Sequence, residues 1–161
     1  MIPSDLESAV AHHSFVRGMT PAHIRLLAQC AMFTHFEAGK MIFHEGEIAN
    51  RFYLIQKGKI HIETRGPEDG AIAVQSLGEG EVLGWSWLFA PYYWHFSACA
   101  VEPTQAIFFY GTRLRERCEE DRELGFQLMR RVAVVLMQRL QVTVQESLRL
   151  SGESRPGPSV L

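Results

Sequence analysis

Residues 80–98 read Gly-Glu-Val-Leu-Gly-Trp-Ser-Trp-Leu-Phe-Ala-Pro-Tyr-Tyr-Trp-His-Phe-Ser-Ala. Gly80 and Gly84, four residues apart, allow a turn in which backbone amides converge, which is a cradle for an anion. The same window holds all three tryptophans of the chain, with Phe89, Tyr92, Tyr93 and Phe96 around them. That aromatic density calls for burial or for cover by a ligand. Ser86 and Ser97 add hydroxyl donors, and His95 adds a cation when protonated. The chemistry expected of this window is therefore recognition of a flat or apolar ligand, with no bond made or broken.

Catalytic and metal chemistry find little support. There is no G-x-S-x-G elbow, P-loop or H-E-x-x-H motif. His44-Glu45-Gly46-Glu47 supplies one histidine without a partner two residues on, and His12, His13, His35, His61 and His95 are scattered. A metal site would need these to meet in space. Cys99, between Ala98 and Ala100, reads as a core thiol. Cys118, near Arg115, Arg117 and Glu119, is the better candidate for a redox-sensitive one. The expectation is no enzyme activity, no cofactor and no metal.

With 161 residues the chain fits one domain with a real core. A net charge of −2 gives no basic face for nucleic acid. Three cysteines without C-x-x-C spacing, no signal peptide and no apolar run near about 18 residues point to a cytoplasmic protein with no membrane span.

The elements that must position the window follow in order. Residues 5–11 suit a short helical turn. Thr20-Pro21 starts a helix with a hydroxyl N-cap and proline at the first position. From residue 32 to 111 short β-branched and aromatic runs alternate with glycine: 32–37, 40–44, 51–57, 59–65, 71–77 and 104–110. Strands at this spacing predict a sandwich or small jelly roll, with 66–70 as a hairpin tip. Thr112 is a candidate N-cap for a short helix through Cys118. Asp121 then caps a long helix to Leu150, where Leu136, Leu140, Val144 and Leu148 recur every four residues, with Leu128, Met129, Val132 and Val135 widening the stripe. One side of so wide a stripe is expected to pack on the β-domain and another to form a homodimer. The domains are thus a helical lead-in (1–31), a β-core (32–111), C-terminal helices (112–150) and a disordered tail (151–161).

The ordered set His35-Phe-Glu-Ala-Gly39-Lys-Met-Ile-Phe-His-Glu-Gly46-Glu, Phe52-Tyr-Leu-Ile-Gln-Lys-Gly58, Gly80-Glu-Val-Leu-Gly84, Ser97-Ala98 and Arg139-Leu-Gln-Val-Thr143 resembles the cyclic nucleotide-binding domain of the CRP/FNR type over residues 12–150. The resemblance implies a mainly β fold with flanking helices: an eight-stranded jelly-roll barrel plus a long C-terminal helix. In the family's phosphate cassette a glutamate binds the ribose hydroxyl and an arginine the cyclic phosphate. Here Gly84, Leu88, Ser97 and Ala98 match, but Trp85 stands at the glutamate position and Phe96 at the arginine position. Charge-assisted hydrogen bonds contribute about 1.5–3 kcal/mol each, so losing both weakens binding by about two to four decades.

The implied function is a regulatory sensor domain whose pocket has left high-affinity cAMP recognition. Its ligand would be held by Gly84, Trp85, Ser86, Trp87, Leu88, His95, Phe96, Ser97 and Ala98. Two indoles at i and i+2 on a short helix project in different directions, one to a pocket and one to the core. The alternatives are a dimerisation or adaptor module with a collapsed pocket, then a weak or genuine cyclic nucleotide binder, and last a cupin-like metalloenzyme. The chain ends after the long helix, where CRP/FNR transcription factors continue into a helix-turn-helix, so direct DNA binding is not expected. A protein partner is expected but not identified.

Overall fold

The computed structural model describes residues 5–66, 68 and 70–152. The chain divides into two units, 1–125 and 126–161. In the first, α1 (Asp5–His12) leads through a 3-10 turn (Ser14–Val16) to α2 (Pro21–Gln29). The Thr20 hydroxyl accepts the His23 amide at 3.3 Å, so the expected cap is formed. Eight strands follow: β1 (Ala31–Phe36), β2 (Met41–Phe43), β3 (Arg51–Lys57), β4 (Lys59–Arg65), β5 (Ala71–Gly78), β6 (Val82–Leu83), β7 (Ser97–Ala100) and β8 (Thr104–Tyr110). A 3-10 turn, Trp85–Leu88, lies between β6 and β7. Then come α3 (Gly111–Glu120) and the start of α4 (Arg122–Leu150).

The strands form two antiparallel four-stranded sheets, ordered β1-β8-β3-β6 and β2-β7-β4-β5. Alternation sends Tyr53, Ile55, Leu83 and Ala106 of the first sheet toward Ile60, Leu77 and Ala98 of the second, giving one buried apolar cluster. Phe36, Ile42, Phe43, Ile62 and Phe108 pack around it, half-buried. The opposite face of the first sheet builds a second core. Phe52 meets Phe15 edge-on at 5.3 Å, with Trp87 at 5.5 Å and Phe109 at 5.9 Å from it. Each such side chain contributes roughly 1.5–3 kcal/mol by leaving water.

The expected eight strands and long C-terminal helix are present, and the jelly roll takes the form of two facing sheets that do not close on each other. Closure needs unbroken strand pairing around the perimeter. Here β6 is two residues long and flanked by Gly80 and Gly84, both at positive φ, and β2 has three residues and a register shift. The helix expected from Thr112 begins instead at Gly111 and runs to Glu120. The Gly111 amide donates to the Asn50 carbonyl at 2.7 Å, and a Cβ there would lie 2.8 Å from that of Trp87. The expected hairpin tip closes with Gly66 N–H donating to Gly70 at 2.8 Å; residues 67 and 69 lie outside the described residues.

Asp121 Oδ1 accepts the Leu124 amide at 3.1 Å, capping α4 as expected. In the second unit the rest of α4 carries exposed Phe126, Met129, Val134, Met137, Leu140 and Val142. Ser151 and Gly152 close it in a turn, while residues 153–161 of the expected disordered tail lie outside the described residues.

Candidate functional site

Gly84 sits at φ +91°, and a Cβ on it would lie 2.8 Å from the Trp94 ring and 3.0 Å from the Arg51 carbonyl. Both the backbone conformation and the close approach therefore require glycine. Trp94 is buried and stacks on Phe43, with centroids 3.8 Å apart and planes 8° apart. Its position is fixed through the backbone. Trp94 N–H donates to Glu47 O at 2.9 Å, Gly46 N–H to Trp94 O at 2.8 Å, and Ala49 N–H to Tyr92 O at 2.6 Å. An indole thus occupies the space against the glycine that opens the cassette.

The next residues diverge. Trp85 stacks on the His95 imidazole (5.4 Å, 19°) and meets Phe89 edge-on at 6.2 Å. The buried Ser86 hydroxyl lies 3.2 Å from His95 Nδ1. Trp87 turns the other way, is fully buried against Phe52, and leaves its Nε1 without a hydrogen-bond partner. Leu88 is half-buried. On β7, Ala98 is fully buried in the inter-sheet cluster, and the Ser97 hydroxyl accepts the Glu45 amide at 2.9 Å. Phe96 is 38% exposed. The fold therefore groups Trp85, Ser86 and His95, separates Trp87 from them, and commits the Ser97 hydroxyl to the Glu45 backbone amide. Between residues 84–88 and 95–98 the only side chain that can carry charge is His95.

Reasoning from the strand pattern missed two groups. Arg115 donates to the Trp87 carbonyl and to Thr112 Oγ1 at 3.3 Å, and its guanidinium lies over the Tyr92 ring at 4.1 Å. It ties α3 to both the 3-10 turn and the loop after it. By sequence alone, its alternation with Arg113 and Arg117 is the pattern of a solvated helix face. Arg51 shares the inner side of β3 with Tyr53 and Ile55, its guanidinium 5.9 Å from the Phe108 ring centroid. The strand period alone could have found it. The Tyr53 hydroxyl beside Arg51 raises the guanidinium's pKa, and burial raises that of Tyr53.

Other reactive groups are quiet. Burial, then Asp121, Cys30 and Glu119, pushes the Cys118 thiol up to about 11, so it is not a thiolate at neutral pH. Cys99 is half-exposed rather than in the core, and desolvation, then Glu63, raises its pKa. Among the described residues no three His, Cys, Asp or Glu side chains converge in a metal-binding group, and no helix is long and apolar enough to cross a membrane.

The family model described as cyclic nucleotide-binding domain matches residues 33–121. The chain is 27% identical over 138 residues to the CRP-like cAMP-activated global transcriptional regulator of Mycobacterium tuberculosis, covering 86% of this chain but 60% of that protein's length. A structure from Geobacter metallireducens GS-15, assigned to cyclic nucleotide binding, superposes with a TM-score of 0.73 at 27% identity, covering 87% of this chain and 98% of that one. The Thermus thermophilus catabolite activator protein shares the fold at a TM-score of 0.68 and 24% identity, over 86% of this chain and 63% of its own. The match covers more than half of the chain and includes the strands and the cassette turn described above, so this protein belongs to the cyclic nucleotide-binding domain family.

Proposed function

We propose that this is a non-enzymatic regulatory domain that keeps the cyclic nucleotide-binding fold but does not bind cAMP or cGMP tightly. One observation carries the reading: the cassette presents Trp85, His95 and Phe96 where an anionic, hydroxyl-rich ligand needs a carboxylate and a guanidinium. The half-buried Trp85 face beside Ser86 and His95 suits a flat aromatic or apolar molecule. The exposed apolar residues of α4 recur at helical spacing (Phe126, Met129, Met137, Leu140), which supports pairing with a second copy of this chain. Tryptophan fluorescence titrated with cAMP and cGMP tests the ligand reading. The expected result is no saturable change at micromolar nucleotide; a saturable change there overturns it.

A second reading is favoured by Trp94. Its indole already stacks on Phe43 against Gly84, as it would in a domain that is purely a dimerisation and adaptor module. A thermal-shift screen of aromatic metabolites separates the two. Stabilisation by any of them supports a sensor, and silence across the panel supports the adaptor.

A further inference from the structure

The charge absent from the cassette has a counterpart on another strand. Arg51 is the first residue of β3, and β3 pairs with β6 so that Tyr53 faces Leu83. Continuing that antiparallel register brings Arg51 level with Trp85, and the Arg51 carbonyl lies against Gly84. The side chain follows the parity of Tyr53 and Ile55, toward the space between the sheets, where it lies by Phe108. Tyr53 itself is almost fully buried in the inter-sheet cluster, ringed by Phe36 at 5.7 Å and Phe108 at 6.1 Å. Tyr110 flanks the guanidinium. Among the described residues no carboxylate pairs with Arg51: the groups acting on it are the two tyrosines. An exposed arginine with Phe108, Tyr53 and Tyr110 beside it, with no acid paired to it among the described residues and at the edge of an apolar interior, is arranged to receive an anion that arrives attached to an apolar body.

We propose that Arg51, with the Tyr53 hydroxyl, forms an anion subsite at the cassette end of the inter-sheet space, and that the domain's ligand class is a small aromatic or apolar carboxylic acid. This rests on the reading of a diverged sensor given above and supplies its missing polar contact. A carboxylate matches the planar guanidinium in two parallel hydrogen bonds, while the ring or chain behind it would meet Phe108 and the half-buried rings of the cluster.

The test uses the full chain with matched probes: acetate, benzoate and cinnamate, and the neutral benzamide and cinnamamide. Binding is followed by calorimetry and by the Arg51 side-chain Nε–H resonance in 15N-labelled protein. Benzoate or cinnamate is expected to shift that resonance saturably, with acetate at least about tenfold weaker and each amide weaker by about tenfold or more. Arg51→Gln is expected to remove the acid-over-amide preference, and Arg51→Lys to keep part of it. Arg51 is solvent-exposed, so neither change removes core packing. The proposal is overturned if no acid moves the Arg51 signal at millimolar concentration, if acetate does so as well as cinnamate, or if Arg51→Gln leaves the preference intact. Tight cAMP binding in the separate nucleotide titration would sink the diverged-sensor reading alone and leave these acid–amide comparisons to decide the subsite.

Discussion

At the scale of single residues, Gly84 and His13 illustrate two kinds of requirement. Gly84 must be glycine because its backbone is left-handed and Trp94 fills the place of a Cβ. Gly84→Ala is expected to cost about 2–4 kcal/mol in urea unfolding, and a loss below about 0.5 kcal/mol would mean that Trp94 yields freely. His13 is buried with both ring nitrogens used: Nδ1 accepts the Phe15 amide at 3.2 Å and Nε2 donates to the Ile55 carbonyl at 2.9 Å. Only the neutral Nε2–H tautomer does both. Desolvation accordingly holds its pKa below 6.5, with the Ile55 hydrogen bond opposing. The unfolded chain then binds the proton more readily than the folded one. The stabilisation is fully present above pH 6.5 and is lost as the pH falls from there through the folded-state value. Melting temperature should therefore drop on acidification below 6.5 more steeply in the wild type than in His13→Gln, and parallel slopes would contradict the assignment.

At the scale of elements, the junctions around α3 carry the polar contacts. Asp121 accepts the Leu124 amide and also pairs with His23 Nε2 of α2 at 3.3 Å, so one carboxylate caps α4 and holds two helical segments. Asp121→Ala is expected to destabilise by about 1–2 kcal/mol in chemical denaturation, whereas Asp121→Asn should recover most of the cap. Arg115 does the equivalent for the cassette, holding the 3-10 turn through the Trp87 carbonyl and the following loop through Tyr92. Arg115→Ala should loosen residues 85–94 selectively. Hydrogen exchange should then quicken in that segment while β3 and β8 stay protected; uniform loss of protection would point to a global effect instead.

At the scale of the whole molecule, α4 is 29 residues long, about 44 Å of helix, and leaves Phe126, Met129, Met137 and Leu140 exposed in the single chain. Light scattering is expected to give a dimer, and Met137→Glu with Leu140→Glu is expected to raise its dissociation constant at least about 100-fold by placing charge in an apolar contact. A wild-type monomer at micromolar concentration would dispose of the homodimer.

The sequence by itself determined the repeating elements. Alternation and glycine punctuation place β3, β4 and β8 at the observed bounds, and Thr20 and Asp121 mark helix starts, because strand parity and end capping are satisfied within a few neighbouring residues. The kept and replaced positions of the cassette are an expectation that comes from the resemblance to the family, not from parity or capping. Only the tertiary structure decided what the aromatic window does. It sends Trp87 to the helical side of the first sheet, stacks Trp85 on His95, puts Trp94 against Gly84 and brings Arg51 level with the cassette turn. Arg51 and the cassette turn, Phe52 and Trp87, and Phe43 and Trp94 come from segments more than thirty residues apart, joined through sheet register and close packing. Neither has a local signature, since the types of two residues do not say whether register and packing will bring them together.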